Sequence, residues 1–191
     1  MSDDDGDAFS VACLMVRHAF ADESARNDYF VCVAVLAATD MTECRQALRK
    51  LCKSGQQRIH MSSESDSRRR KILSRVRELG VEVHVYQAAL GSRPGRVARD
   101  DCLRVAVPDL VSMGVSRLVI ESCDQDRRDR QVVHDMVVKA GAGERFWYTH
   151  DRPASEPLLW VPDIVAWAYG KGGVWRQRAG GVVVAVTKVG G

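Results

Sequence analysis

Apolar residues recur along this chain in two spacings, one alternating and one helical. Tyr29 to Ala38, YFVCVAVLAA, is an unbroken apolar run rich in valine and predicts a strand. Residues 10–21 predict a strand before it, interrupted by Arg17 and His18. The turn-like ADESARND between them makes the pair a hairpin, with Asp22-Glu23-Ser24 in the turn. Thr42 opens a helix whose apolar face carries Leu48 and Leu51, and residues 57–61 read as a short strand. Ile72, Leu73, Val76 and Leu79 recur at helical spacing, predicting a helix from Asp66 to Leu79 closed by Gly80. VEVHVYQAAL alternates as a strand does. GSRPGR (91–96) is a loop, and residues 97–113 read as a helix with a kink or break at Pro108. Ser116 to Glu121 predicts a short buried strand, Asp129 to Lys139 a helix, ERFWYTH a strand, and Ser155 to Tyr169 a helix that contains Pro157 and Pro162. The final GGVVVAVTKVGG is an edge strand or a loose tail. A hairpin followed by strands that alternate with helices predicts a mixed-sheet α/β fold in one domain.

Composition narrows the picture only a little. The chain has 191 residues, 46% hydrophobic and 28% charged, with a formal net charge of +3, as expected of one globular domain. Charge is distributed unevenly. Residues 68–77, RRRKILSRVR, are strongly basic, while the acidic start lacks an apolar anchor and predicts a disordered tail over 1–9, ahead of a domain over 10–180. The acidic start also predicts no secretory signal, and no apolar run approaches a membrane span. Six cysteines, at 13, 32, 44, 52, 102 and 123, form no CxxC pair, so they read as reduced core thiols of a cytoplasmic protein rather than as zinc ligands. The histidines show no HExxH spacing, and no Walker A loop, GxGxxG turn or GxSxG elbow is present. Nothing in the sequence sets an oligomeric state.

The candidate chemistry lies in acids at the ends of apolar runs. SVACLMVRHAF leads to Asp22, RLVI leads to Glu121, and Asp163 sits inside LLWVPDIVAW. Taken singly, each has a plain reading: a turn residue, a solvated strand end, and a buried acid paired with arginine or capping a helix that begins at Pro162. Taken together they point elsewhere. Carboxylates gathered where strands and helices converge need a cation to offset their desolvation, and a divalent metal is the economical one. Asp124 and Asp126, in a loop rich in both signs of charge, are further candidate ligands. The basic run supplies candidate phosphate contacts in Arg68, Arg69, Arg70, Lys71 and Arg75, with His60 just before it.

The chain resembles an uncharacterised bacterial family, domain-of-unknown-function 3800. The matching residues are ADES followed by YFVCVAVLAA, then RIHMSSESDSRRRKIL, RLVIES with trailing Asp residues, and EPLLWVPDIVAWAYG, together spanning residues 20–178. The last segment is the most distinctive. The resemblance implies a ribonuclease-H-like fold in which Asp22, Glu121 and Asp163 hold Mg2+ or Mn2+, with Asp124 or Asp126 as a fourth acid and with Arg69 and His60 against phosphate. It therefore implies a metal-dependent nuclease or related phosphodiester-processing enzyme. The chain departs from the family at Ala25, where glycine follows DES, at Arg17 and His18 in the first strand, and at Pro162 before Asp163. Those departures suit the alternative, a catalytically silent module on the same fold that binds nucleic acid or a protein partner.

Overall fold

The computed structural model describes residues 16–190. The predicted acidic tail lies outside them. Strands β1 (Arg17–Ala25) and β2 (Asp28–Ala37) form the predicted antiparallel hairpin, turning at Arg26 and Asn27. Tyr29 to Leu36 are all buried, which explains why this strand reads as an unbroken apolar run: both of its faces are covered. β3 (Glu82–Ala89) pairs antiparallel with β2. On the other side, β4 (Val115–Glu121) runs parallel to β1, and β5 (Trp147–Asp151) runs parallel to β4. β6 (Val183–Val189) lies parallel to β3 and closes the order β5-β4-β1-β2-β3-β6. Of the two readings of the C-terminal stretch, the edge strand is the observed one, and the sheet extends to Val189.

Helices cover both faces. α1 (Met41–Arg49), α2 (Asp66–Arg77), α5 (Trp160–Lys171) and α6 (Gly173–Ala179) bury one core with Phe20, Cys32 and Val119. α3 (Gly95–Ser112) and α4 (Asp126–Lys139) bury a second core with Ala19, Ala21 and Ile120 on the opposite face. The predicted single-domain α/β architecture is therefore the observed one: a mixed six-stranded sheet flanked by helices, consistent with a ribonuclease-H-like arrangement. Among the described residues, no helix is long and apolar enough to cross a membrane.

Several expected elements change. Asp22, Glu23 and Ser24 do not occupy a turn; they pair with Cys32, Val31 and Phe30 inside β1. Residues 57–61 form no strand. Ile59 and Met61 are buried and alternate with exposed Arg58 and His60, so the segment imitates a strand's period without a partner to pair with. The 91–96 loop ends early, because α3 already begins at Gly95. α3 also continues through Pro108. The proline's missing N–H falls opposite the carbonyl of exposed Arg104, where water can replace it. α4 begins at Asp126 rather than Asp129, with both acids in its first turn, where the helix dipole favours them.

Candidate metal centre

Strand geometry brings the acids together. Ala21 of β1 lies opposite Ile120 of β4, so Asp22 and Glu121 follow at matching heights on adjacent parallel strands. Side chains alternate along a strand. Phe20 and Val119 face the α5 core, so Asp22 and Glu121 face it too, at the carboxyl ends of two central strands. α5 crosses β1 and β2 on that face and carries Asp163 in its first turn. Pro162 is the third residue of α5, where a helix needs no backbone donor, so it does not disturb the helix.

The electrostatics show how crowded the three carboxylates are. Asp22 is 9% exposed. Burial, followed by the negative charges of Glu23, Glu121 and Asp163, drives its pKa well above the ordinary value. Burial, then Glu121, pushes Asp163 up to about 7, against the pull of Arg58 and a hydrogen bond from the Met61 N–H. Glu121 is raised mainly by burial, partly offset by Arg58 and by a hydrogen bond with Asp22. Asp22 and Glu121 are thus both displaced toward the protonated form, burial being the largest cause for each. Below them Cys32, opposite Asp22, is fully buried, and burial followed by the Asp22 charge keeps its thiol protonated. The single salt bridge to this trio among the described residues is Arg58 to Glu121, at 3.4 Å.

Two anchors fix α5 over the strands. Glu156 is 9% exposed and accepts both Nε and Nη2 of Arg45 on α1, with contacts of 2.6–3.2 Å. Glu156 also accepts the Leu158 N–H at 3.1 Å, capping the short 3-10 turn Pro157–Leu159 that leads into α5. The Trp160 indole donates to the Pro153 carbonyl at 2.7 Å. At the far end Gly170 passes so close to β1 that a Cβ there would lie 2.9 Å from both Ser24 Oγ and Arg26 Cδ.

The basic helix departs from expectation. Arg69 donates to the Met61 and Ser62 carbonyls at 2.9 Å each, pairs with Asp66 at 2.7 Å, and stacks over Trp167 at 4.6 Å. Arg68 donates to the Leu51 carbonyl and pairs with Glu64 at 3.5 Å. These two arginines hold the protein together instead of presenting free cations. Arg75 is exposed and pairs with Glu78. Arg70 and Lys71 are exposed. His60 is exposed and bonds Ser62 Oγ at 2.6 Å. Sequence reasoning passed over Arg58, the cation that reaches the acids, because nothing but its place in the fold distinguishes it.

Asp124 and Asp126 do not join Asp22, Glu121 and Asp163. Asp124 is exposed beside Gln125, at 3.1 Å. Asp126 accepts Ser122 Oγ at 2.6 Å and the Cys123 N–H at 2.7 Å, on the α3–α4 side. There Cys123, Asp126 and Asp129 offer donor atoms within 4.8 Å of one another, so this partly buried carboxylate and cysteine cluster could bind a metal. Asp129, fully buried, is already engaged by Arg99 at 2.9 and 2.8 Å and by His150 at 3.2 Å. Burial opposes its ionisation, but hydrogen bonds from His150 and Arg99 prevail and keep its pKa low. Arg99, 2% exposed, also pairs with Glu23. Any ion bound there would have to compete with a resident guanidinium, whereas the Asp22 trio has one loosely attached cation.

The cavity lined by Pro108, Val111, Val115, Ala140 and Phe146 lies at the opposite ends of the strands and contains no carboxylate. No protein-family model matches the chain, and no curated protein matches it. Its chemistry therefore has to be argued from the site. Asp22, Glu121 and Asp163 gather up to three negative charges against one arginine, whereas the group whose donor atoms lie within 4.8 Å of one another among the described residues is Cys123, Asp126 and Asp129.

Proposed function

We propose that Asp22, Glu121 and Asp163 hold Mg2+ or Mn2+ and that the protein is a metal-dependent nuclease or related phosphodiester-processing enzyme, a member of the domain-of-unknown-function 3800 family. The observation that carries this reading is that three acids from β1, β4 and α5 lie on one face of the sheet, near enough to influence one another's ionisation, with Arg58 as the nearby cation. A bound divalent ion would supply Lewis acidity and an activated water. The chain's own residues do the rest. Asp22 and Asp163, whose ionisation burial and then neighbouring charge oppose, would hold the ion once deprotonated. Met61 N–H and the anchored α5 hold Asp163 in place. Exposed Arg70 and Lys71 of α2 supply attraction for a phosphate backbone. Five free cysteines among the described residues support a reducing compartment, the cytoplasm.

Cleavage assays with Mg2+ and Mn2+ on single-stranded, duplex and hybrid substrates test the reading. Wild type should cleave at least one of these, and Asp163→Asn should lose that activity by at least about a hundredfold. Equal residual cleavage by the two proteins on every substrate would leave a non-catalytic binding module.

A further inference from the structure

Arg58 combines a rigid root with a loose tip. Its neighbours Ile59 and Met61 are 1% and 0% exposed and are packed into the α5 core. Arg69 grips the Met61 and Ser62 carbonyls. On the other side, Glu64, itself 4% exposed, accepts Lys53 and Gln56 at 2.8 Å each, which ties down the start of the same loop. The Arg58 side chain is nevertheless 43% exposed and touches Glu121 through one nitrogen at 3.4 Å. A well-made guanidinium–carboxylate contact is bidentate and about 2.7–2.9 Å long. This contact is neither. The loop fixes where Arg58 stands and leaves its guanidinium free to change partner.

We propose that Arg58 is a resident counter-ion that yields Glu121 to a divalent metal and then takes a non-bridging oxygen of the phosphodiester held at the site. The proposal rests on the metal reading above and adds to it the residue that meets the substrate. Guanidinium and metal both draw on the Glu121 carboxylate and repel each other, and the guanidinium, held by one 3.4 Å contact, is the partner that gives way. Once displaced, the guanidinium remains beside the site without a carboxylate partner, and an anionic phosphate oxygen held there restores its pairing. Arg58 thus weakens binding of the bare ion and strengthens binding of the phosphodiester.

These opposite effects make the test specific. Mn2+ alone is titrated calorimetrically into the full-length wild type, Arg58→Ala and Arg58→Lys, whose thermal melts should match because the side chain is exposed. Dimethyl phosphate is then added to each Mn2+-loaded protein, and its phosphorus NMR relaxation by the bound ion is measured. Arg58→Ala should bind Mn2+ about three- to tenfold more tightly than wild type, yet lose most of the relaxation effect on dimethyl phosphate. Arg58→Lys keeps the charge without the planar fork, so it should bind Mn2+ like wild type and show a reduced effect on the phosphodiester. Unchanged or weaker Mn2+ binding in Arg58→Ala, or an undiminished phosphorus signal, would overturn the role of Arg58 and leave the metal reading standing. Absence of Mn2+ binding by both wild type and Arg58→Ala would overturn the metal reading, and this inference with it.

Discussion

Asp22 and Glu121 each stand one residue beyond the Ala21–Ile120 pair of two adjacent parallel strands, and so project side by side from one face of the sheet. The sheet fixes this closeness through its backbone ladder. The two acids cannot move apart to relieve their repulsion. Burial, more than that repulsion, raises the pKa of both, and the charge of Asp163 on α5 adds to the rise at Asp22.

Burial of Asp163, with the Glu121 charge beside it, makes the metal-free protein sensitive to pH. The ordinary pKa of an aspartate, 3.8, rises to about 7 for Asp163 in the folded chain. Between these values the folded state keeps a proton that the unfolded state releases, so stability from this group falls as pH rises toward 7 and is level above it. Asp163→Asn has no charge to desolvate. In urea unfolding without metal it should be more stable than wild type at pH 8, by on the order of 1–3 kcal/mol, and nearly equal at pH 4. A variant less stable than wild type at pH 8 would contradict the assigned strain.

Metal stabilisation should follow the reverse trend. At pH 5 an ion must displace the retained protons, whereas at pH 8 Asp163 has already lost its own. Thermal melts with and without Mg2+ or Mn2+ should therefore show a larger rise in Tm at pH 8 than at pH 5. The Asp163→Asn variant should lose most of that difference.

Arg99 carries a structural load on the other face. Removing it leaves Asp129 buried at 0% exposure with His150, at 3.2 Å, as its remaining side-chain partner among the described residues. Arg99→Met should cost about 3–5 kcal/mol in urea unfolding at pH 7. Combining it with Asp129→Leu should recover a large part of the loss, since an apolar pair avoids the stranded charge.

Gly170→Ala tests how tightly α5 is held against β1. Alanine gains about 1 kcal/mol of helix propensity over glycine. Its Cβ would also meet Ser24 Oγ at 2.9 Å, on a strand paired along its length, and the overlap should cost about 1–3 kcal/mol. Net destabilisation, together with weaker Mn2+ binding as α5 lifts Asp163 away from the strands, is the expected result.

The sequence revealed the repetitive parts of this fold more readily than its singular ones. β2 and α2 announce themselves because burial on two faces or on one helical stripe leaves a long, regular pattern. The three acids were visible as polar interruptions at the ends of such patterns. The DES stretch resembles a turn because polar residues usually mark turns, whereas here Asp22 faces the α5 side beside Asp163 and Glu23 faces Arg99, so a strand tolerates both. Arg99 and Asp100 left a signal that could have been used: two charges within the apolar rows of α3, buried to 2%. Their partners, Asp129 and Arg128 on α4, are about thirty positions away, and only the folded chain pairs them. Arg58 left no signal, and Arg68 and Arg69 looked like surface charge because the carbonyls they serve belong to a loop with no repeating pattern.

Because β1 directs Asp22 and Glu23 to opposite sides, its reading frame governs two unrelated tasks at once. Losing or gaining a single residue between Ala19 and Asp22 would rotate Glu23 toward α5 and present the wrong side chain to Arg99. Evolution can lengthen the hairpin tip at Arg26 and Asn27 without such a penalty, so length variation among kindred chains should concentrate there and spare the strand.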